Sequence, residues 1–302
     1  MTEPASTPTG EARASARPLP LAGRWPSLGY GIDCRLDYEL DGACDFVYMV
    51  HVAQHPDQRI VNEQLRLTPN VDSRLHSDSF GNRILRLQAP KGPFSLRYQA
   101  DVARVQRPRD LHAPEVPINE LPDDVLPHLL PTRYCESDLL SGAALKTFGD
   151  VAPGYTRVQA ISDWIHDHVE YRVGSTLSTT TSRDVFVQRA GVCRDFAHLG
   201  ITFCRALNIP ARLVCGYVLF EEPPPDFHAV FEAYLGGEWV LFDPTRMAPI
   251  DALVRVATGR DAKDVAFATI FGPARMTAMQ PDVVRLEESA LRPRSAQALA
   301  VN

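Results

Sequence analysis

Residues 190–207, AGVCRDFAHLGITFCRAL, contain the most informative helical pattern of this 302-residue chain. Apolar and small side chains recur there every three or four residues, which is typical of the buried face of a helix. These residues are Cys193, Phe196, Gly200, Phe203, Cys204 and Leu207. Gly191 precedes the pattern and Pro210 lies beyond its end, as expected at helix boundaries. The spacing therefore predicts a buried helix that begins at about Cys193.

A cysteine in the first turn of a helix has a special chemical setting. The unpaired backbone N–H groups and the positive end of the helix dipole favour a thiolate over a thiol. Cys193 is therefore the candidate nucleophile. If no base lies near it, the alternative interpretation is a buried structural thiol.

Nine histidines are candidates for the base that a nucleophilic thiol needs. His198 follows Cys193 by five residues, so on the same helix it points roughly 140° away. His166 and His168 are two residues apart and face different directions on a helix, so they match no metal-binding pair. We expect neither a metal ion nor an organic cofactor.

The best candidate base lies in a predicted β-hairpin in the stretch DFHAVFEAYLGGEWVLFD, residues 226–243. Alternate residues are apolar from Phe227 to Leu235, which predicts a strand with one face in the core. The next two residues, Gly236 and Gly237, form a two-residue turn, and Glu238–Phe242 returns as the second strand.

This turn sets the register of the hairpin. The opposed residues are then Phe231 with Phe242, Ala233 with Val240, and His228 with Thr245. His228 and Asp243 share one face at a diagonal step, where Cα atoms lie about 7–8 Å apart and side chains can meet. A slip of one residue would put the two side chains on opposite faces.

The N-terminal third of the chain is predicted to be all-β. We predict that residues 1–25, rich in Pro, Ser and Thr, form a disordered tail. Residues 29–106 alternate between apolar and polar side chains in five runs separated by turn residues, which indicates an antiparallel β-sandwich-like domain. The predicted strands are Ile32–Leu40, Phe46–Val52, Ile60–Leu67, Ile84–Leu87 and Phe94–Val102.

Six prolines then mark residues 107–132 as an extended connector, and we assign residues 133–285 to a second domain and 286–302 to a flexible tail. Thr156 and Gln159 fit a capping box at the start of a helix. A short helix is predicted from Ser182 or Arg183 to Gln188, and the strands Ala211–Phe220, Phe227–Leu235 and Glu238–Phe242 are expected to form an antiparallel sheet under the Cys193 helix. The predicted fold class is α+β.

Composition narrows the range of partners. The chain has 31 basic and 37 acidic residues, a net charge of −6, so nucleic acid and anionic membranes are not favoured. The apolar stretches are too short for a membrane helix, and we expect a cytoplasmic protein. The six cysteines contain no CxxC pair, so we expect free thiols, five of them buried. The sequence leaves the oligomeric state open.

Some residues near these motifs have simpler interpretations. Arg194 and Asp195 are as well explained by a salt bridge as by substrate contact. The polar run 175–182 is interpreted as a loop at the edge of a cleft, and Trp164 and Trp239 as core residues.

Three blocks of sequence closely resemble the bacterial transglutaminase-like superfamily of papain-like thiol enzymes: GVCRDFAH at 191–198, DFHA at 226–229, and WVLFDPT at 239–245. The resemblance implies that Cys193 is the nucleophile, His228 the general base and acid, and Asp243 the carboxylate that orients the imidazole. The N-terminal region is similar to the β-rich domain that precedes the catalytic domain in many bacterial members. One departure is Val230, where many relatives carry Trp.

The implied chemistry is acyl transfer or hydrolysis at a carboxamide or peptide bond of a protein or peptide substrate, through a thioester. An amine acceptor would make the protein a transglutaminase, and water would make it a protease or amidase. The backbone N–H of Cys193 can supply one oxyanion donor, and no side chain is assigned as a second donor. The alternative is a catalytically silent peptide-binding or scaffolding module on the same fold.

Overall fold

The computed structural model describes residues 26–220, 226–287 and 291. The tail predicted for 1–25 and most of that predicted for 286–302 lie outside these residues. Four helices are described: α1 Ser137–Phe148, α2 Tyr155–His168, α3 Ser182–Gln188 and α4 Cys193–Ala206. The strands are β1 Ser27–Leu40, β2 Cys44–Tyr48, β3 Gln58–Thr68, β4 Ser73–Ser77, β5 Arg83–Ala89, β6 Gly92–Val105, β7 Glu170–Tyr171, β8 Ala190–Gly191, β9 Ala211–Tyr217, β10 His228–Leu235, β11 Glu238–Phe242, β12 Val254–Gly259, β13 Ala268–Phe271 and β14 Ala274–Leu286. The predicted α+β class is confirmed.

Two four-stranded antiparallel sheets form the N-terminal β-sandwich, in the orders β14-β1-β6-β3 and β13-β2-β5-β4. Their inner faces meet through aromatic side chains. The ring of Phe46 on β2 lies 5.3 Å from the rings of both Tyr38 on β1 and Phe94 on β6, measured between centroids. These buried rings give the sandwich its core, since aromatic pairs bury a large area at these distances.

The last two strands differ from the sequence analysis, which grouped them with the second domain. Ala268–Phe271 pairs with β2, and Ala274–Leu286 pairs along most of β1, so both belong to the sheets of the sandwich. The reason is the exposure of β14: most of its side chains are exposed or half-buried, so no apolar alternation marks it as a sandwich strand. The chain therefore returns to its first domain after completing the second.

The second domain contains an antiparallel sheet in the order β11-β10-β9-β12, with α4 packed on β10. A side chain at Gly200 of α4 would bring its Cβ within 2.5 Å of the Phe231 ring on β10. Glycine at this position therefore lets the helix approach the sheet closely, which places Cys193 at its start above the strand that carries His228.

The β10–β11 hairpin has the predicted turn. Gly236 and Gly237 both have positive φ, 59° and 88°, as a type I′ turn requires. The register pairs Phe231 with Phe242 as predicted. The ladder ends at this pair, so the predicted His228–Thr245 pair is not part of it; the backbone of Thr245 instead donates to the Asp243 side chain.

Strand β12, at one edge of this sheet, was not predicted from the sequence. The predicted strand Ala211–Phe220 corresponds to β9, which ends at Tyr217. Two amide side chains of the sandwich cap the outer edge of β12. Gln58 exchanges hydrogen bonds of 2.8 and 2.9 Å with the backbone of Arg255, and Asn82 exchanges bonds of 2.8 and 2.7 Å with that of Thr258. These amides satisfy an otherwise open sheet edge and join the two domains.

The predicted capping box at Thr156 and Gln159 is wrong. Helix α2 begins at Tyr155, and its N-cap is Gly154, two residues before the predicted N-cap. The connector satisfies the helix start instead, because the Glu115 carboxylate accepts the Gly154 N–H at 3.0 Å. The side chain of Gln159 bonds with the Tyr155 hydroxyl and with Asp163.

The proline-rich connector is not extended throughout, because it contains two short 3-10 turns at Ile118–Glu120 and Leu126–Leu129. Its buried Leu121 and Val125 pack against Tyr234 of the hairpin. Helix α1 was missed by the sequence analysis. The short helix α3 has the predicted bounds.

Candidate functional site

Cys193 is the first residue of α4, as the sequence predicts, and it is half-buried. Asp195, buried in the same turn, accepts the backbone N–H of Val192 at 3.0 Å and so satisfies one of the free donors at the helix start. The Cys193 thiol lies 3.9 Å from the carbonyl oxygen of Phe227, the residue before His228. The first turn of α4 therefore presents the sulfur to the start of β10.

His228 lies close to both of the residues that the sequence grouped with it. Its Nε2 lies 2.8 Å from Oδ2 of Asp243, and the side chain of Cys193 is near enough to contribute to the raised pKa of the imidazole. Because Nε2 faces the carboxylate, Nδ1 remains for the sulfur. The ring is 2% exposed, and the Phe220 ring packs perpendicular to it with the centroids 5.3 Å apart. The structure thus brings together three side chains that are distant in the sequence.

Asp243 has two roles in this arrangement. Its Oδ1 accepts hydrogen bonds from the backbone N–H and the hydroxyl of Thr245, at 2.9 and 2.7 Å, which caps the turn through Pro244. Its Oδ2 remains free for His228. The turn therefore holds the carboxylate in one orientation toward the imidazole.

The protonation of His228 follows from these contacts. Burial lowers the pKa of the imidazole, but the hydrogen bond with the Asp243 carboxylate and the neighbouring Cys193 sulfur outweigh this effect and raise the pKa to about 10. The ring is therefore an imidazolium at neutral pH. A cation beside a sulfur favours the thiolate form.

Tyr171 is a site residue that the sequence analysis missed. Its strand β7 pairs in parallel with β8, which places Tyr171 opposite Gly191, two residues before Cys193. The Tyr171 hydroxyl lies near enough to Cys193 for that residue to contribute to its pKa. Burial, followed by the charge of Cys193, raises the pKa of this hydroxyl, so it stays protonated and remains a donor.

The polar loop between β7 and α3 is tied to the first turn of α4. Thr176 donates to the Asp195 carboxylate at 2.6 Å, and Arg194 donates to the carbonyl of Leu177 at 3.0 Å. Arg194 and Asp195 form the salt bridge of the simpler interpretation, with Nη2 and Oδ1 2.8 Å apart. These residues position the loop and the helix start relative to each other.

The remaining cysteines and His198 are structural. All six thiols are free, and Cys193 alone is not buried; the other five are Cys34, Cys44, Cys135, Cys204 and Cys215. His198 is buried on α4, stacks on Tyr134 and accepts the backbone N–H of Ala262 at 3.1 Å. Burial, with Arg194 and Arg205 nearby, lowers its pKa to about 3, so this ring is neutral.

Trp164 packs partly buried against the core, with its ring edge toward Phe148 and Phe203. Trp239 lies under the guanidinium of Arg212, 3.9 Å from the ring centroid.

Across the described ranges, no group of three or more His, Cys, Asp or Glu side chains is arranged to hold a metal ion. None of the described helices is both long and apolar enough to cross a membrane.

Comparison with known proteins places this fold in a family. The model of the transglutaminase-like superfamily matches residues 143–244. The crystal structure of a "putative cysteine protease" from Cytophaga hutchinsonii is similar over 87% of this chain and 92% of that chain, with 43% sequence identity and a TM-score of 0.84. The chain therefore belongs to the transglutaminase-like superfamily.

Two mycobacterial relatives are more distant. An uncharacterized protein of Mycobacterium leprae is 29% identical over 251 residues, which cover 72% of this chain and 88% of the relative. An uncharacterized protein of Mycobacterium tuberculosis is 30% identical over 143 residues, which cover 43% of this chain and 46% of the relative.

Proposed function

We propose that this protein is a thiol enzyme that cleaves a carboxamide or peptide bond through a thioester on Cys193. The observation that carries the proposal is the position of His228, which lies next to Cys193 and is hydrogen-bonded to Asp243 at 2.8 Å. The proposed substrate is a protein or peptide.

In the first step the Cys193 thiolate attacks the carbonyl carbon, and a C–S bond forms. The carbonyl electron pair moves to oxygen and gives a tetrahedral oxyanion. The backbone N–H of Cys193, at the helix start, and the Tyr171 hydroxyl are the proposed oxyanion donors, since both groups lie at the attacking sulfur. A tyrosine that stays protonated suits this task.

In the second step the oxyanion collapses, the C–N bond breaks, and the His228 imidazolium gives its proton to the departing nitrogen. The thioester then reacts with water or an amine, whose proton returns to His228, and the thiolate leaves. Asp243 stabilises the imidazolium at each stage and holds the ring so that Nδ1 faces the sulfur.

Water is the acceptor that we favour. The similarity to the Cytophaga hutchinsonii protein, described as a putative cysteine protease, supports hydrolysis. Transfer to an amine uses the same three side chains, so the distinction needs an assay.

The test is a screen of fluorogenic peptide amides, each with and without an added primary amine, using the full chain and Cys193→Ala. A hydrolase releases the leaving amine at a rate that needs no added acceptor and yields the free acid. A transferase yields the amide of the added amine. If the wild type shows no more turnover than Cys193→Ala with any substrate, the proposal is wrong and a peptide-binding module remains.

A further inference from the structure

The interface between the β-sandwich and the sheet of the second domain forms a cavity of about 560 Å³ that is open to solvent on one side. Arginines enter it from three strands: Arg104 on β6, Arg212 on β9 and Arg255 on β12. Glu232 on β10 lies among them. This cavity, which we call the arginine cavity, contains none of the residues proposed for the thiol chemistry.

The buried charges of the arginine cavity do not cancel. Glu232 is 1% exposed and is shared by two guanidinium groups: Arg212 donates to its Oε2 at 2.8 Å, and Arg255 donates to its Oε1. Both arginines therefore depend on one carboxylate. Arg104 adds a third buried positive charge, and burial lowers the pKa of His55 to about 3, so that neighbouring ring is neutral.

Arg104 is the least satisfied of these side chains. It is 7% exposed, its Nε has no hydrogen-bond partner, and it forms no ion pair with a carboxylate of the described residues. Its one hydrogen bond goes from Nη1 to the backbone oxygen of Asp57, at 3.3 Å. Burial, followed by the charge of Arg255, lowers the pKa of Arg104, and the nearby carboxylates do not offset this decrease. A buried charge without a counter-charge is expensive.

The other carboxylates that line the arginine cavity are already engaged or face solvent. Asp57 pairs with Arg107 at 2.5 Å, and Asp251 pairs with Arg109 at 3.1 Å. Asp110 and Glu238 are exposed. Arg104 therefore has no ion-pair partner among the described residues. The cavity beside it is large enough to hold a small molecule that carries an anionic group.

We propose that the arginine cavity binds a small ligand through a phosphate or carboxylate group, with Arg104 as a principal contact. The guanidinium fork suits the oxygens of either group. Because Arg104 belongs to the sandwich and Arg212 and Arg255 to the second domain, the bound anion would join the two domains. This inference is independent of the proposed thiol chemistry.

The test is isothermal titration of the full chain with inorganic phosphate and, separately, with succinate, at constant ionic strength. We expect saturable binding of at least one of these anions with one site per chain, and the stronger of the two identifies phosphate or carboxylate as the natural group. Arg104→Met should weaken that binding by at least about tenfold, the loss expected for one charge-assisted contact. Arg97→Met is the matched control, because Arg97 lies on the same strand and pairs with Asp33 at the exposed surface; it should bind like the wild type.

Arg107→Met is a second variant for the case that Arg104→Met does not fold. Arg107 also lines the arginine cavity and is half exposed; its loss removes a positive charge there and frees the Asp57 carboxylate to compete for Arg104, so binding should also weaken. The proposal is overturned if the wild type binds neither anion saturably, or if Arg97→Met weakens binding as much as Arg104→Met or Arg107→Met.

Discussion

Two buried histidines lie at helix α4, one near its first residue and one on the helix itself, and their pKa values are shifted in opposite directions. At the helix start, His228 and Tyr171 both lie near Cys193, and the pKa of His228 is raised to about 10. One turn further on, Tyr134 stacks on His198, whose pKa is lowered to about 3. We call these the Cys193 site and the His198 site.

Burial is common to both sites, since His228 is 2% and His198 is 1% exposed. The difference is the partner of the ring. Asp243 provides a negative charge 2.8 Å from His228, whereas Arg194 and Arg205 act on His198. A buried histidine is therefore a candidate for catalysis when a carboxylate holds it charged, and a core residue when cations and apolar surroundings keep it neutral.

Of the variants that test the Cys193 site, Cys193→Ala is expected to have the largest effect on activity. Removal of the nucleophile should lower kcat by a factor on the order of 10⁶, because the residues of such a group act as a unit. Steady-state turnover of a peptide amide measures the loss. Cys204→Ala, in the buried part of the same helix, is the control: it should lower the free energy of unfolding but leave the activity per folded molecule unchanged.

Asp243→Asn should have the next largest effect. The amide removes the charge that raises the pKa of His228 and disturbs the orientation of the ring, so kcat should fall by about 10⁴. Asp163→Asn is a suitable control because the contacts of Asp163, an exposed ion pair with Arg246 and a hydrogen bond from Gln159, involve none of the three residues of the Cys193 site. A loss of less than about tenfold in Asp243→Asn would show that the carboxylate does not serve His228 in the reaction.

Tyr171→Phe should lower kcat by a factor of about 10² to 10³ with little change in KM, the range expected for loss of one oxyanion donor. Tyr134→Phe is the matched change at the His198 site, where the hydroxyl donates to the carbonyl of Ser178. That variant should keep its kcat. Equal losses in the two variants would mean that Tyr171 acts through stability alone.

The smallest predicted effects are changes in the free energy of unfolding with pH. The pKa of His198 is lower in the folded protein than its usual value of 6.5, so the unfolded chain binds an extra proton between pH 3 and 6.5, and stability falls as the pH falls through that range. His228 has the opposite sign: its raised pKa contributes stability that is fully present below pH 6.5 and is lost as the pH rises toward 10.

Urea unfolding from pH 4 to pH 9 can separate the two histidines. His198→Gln should flatten the acidic side of the profile relative to the wild type, and His228→Gln the alkaline side, each by at most about 1.4 kcal/mol per pH unit. If both substitutions change the same side, the assignment of opposite protonation states is incorrect.

Local patterns explain why so much of the Cys193 site could be predicted. The three- and four-residue spacing located the start of α4, and two glycines set the hairpin register that brings His228 to Asp243. Both signals lie within one element or across one short turn.

Features that depend on pairing between distant segments of the chain could not be predicted from local sequence patterns. Tyr171 reaches Cys193 through a parallel pairing of only two residues, which leaves no periodic pattern. Strand β14 is largely exposed and pairs with β1 at the other end of the chain. The arginine cavity likewise assembles residues from five strands, and no local sequence pattern marks its arginines as neighbours.

The most direct test of the central claim is the rate at which limiting iodoacetamide alkylates each of the six thiols between pH 5 and pH 9, followed by peptide mass spectrometry. Iodoacetamide reacts with thiolates, and a free thiol ionises with a pKa of about 8.5. If His228 holds the sulfur ionised, Cys193 is modified much faster than the other five thiols already at pH 6, and His228→Gln abolishes this advantage. Comparable, slow labelling of all six thiols at pH 6 would contradict the account.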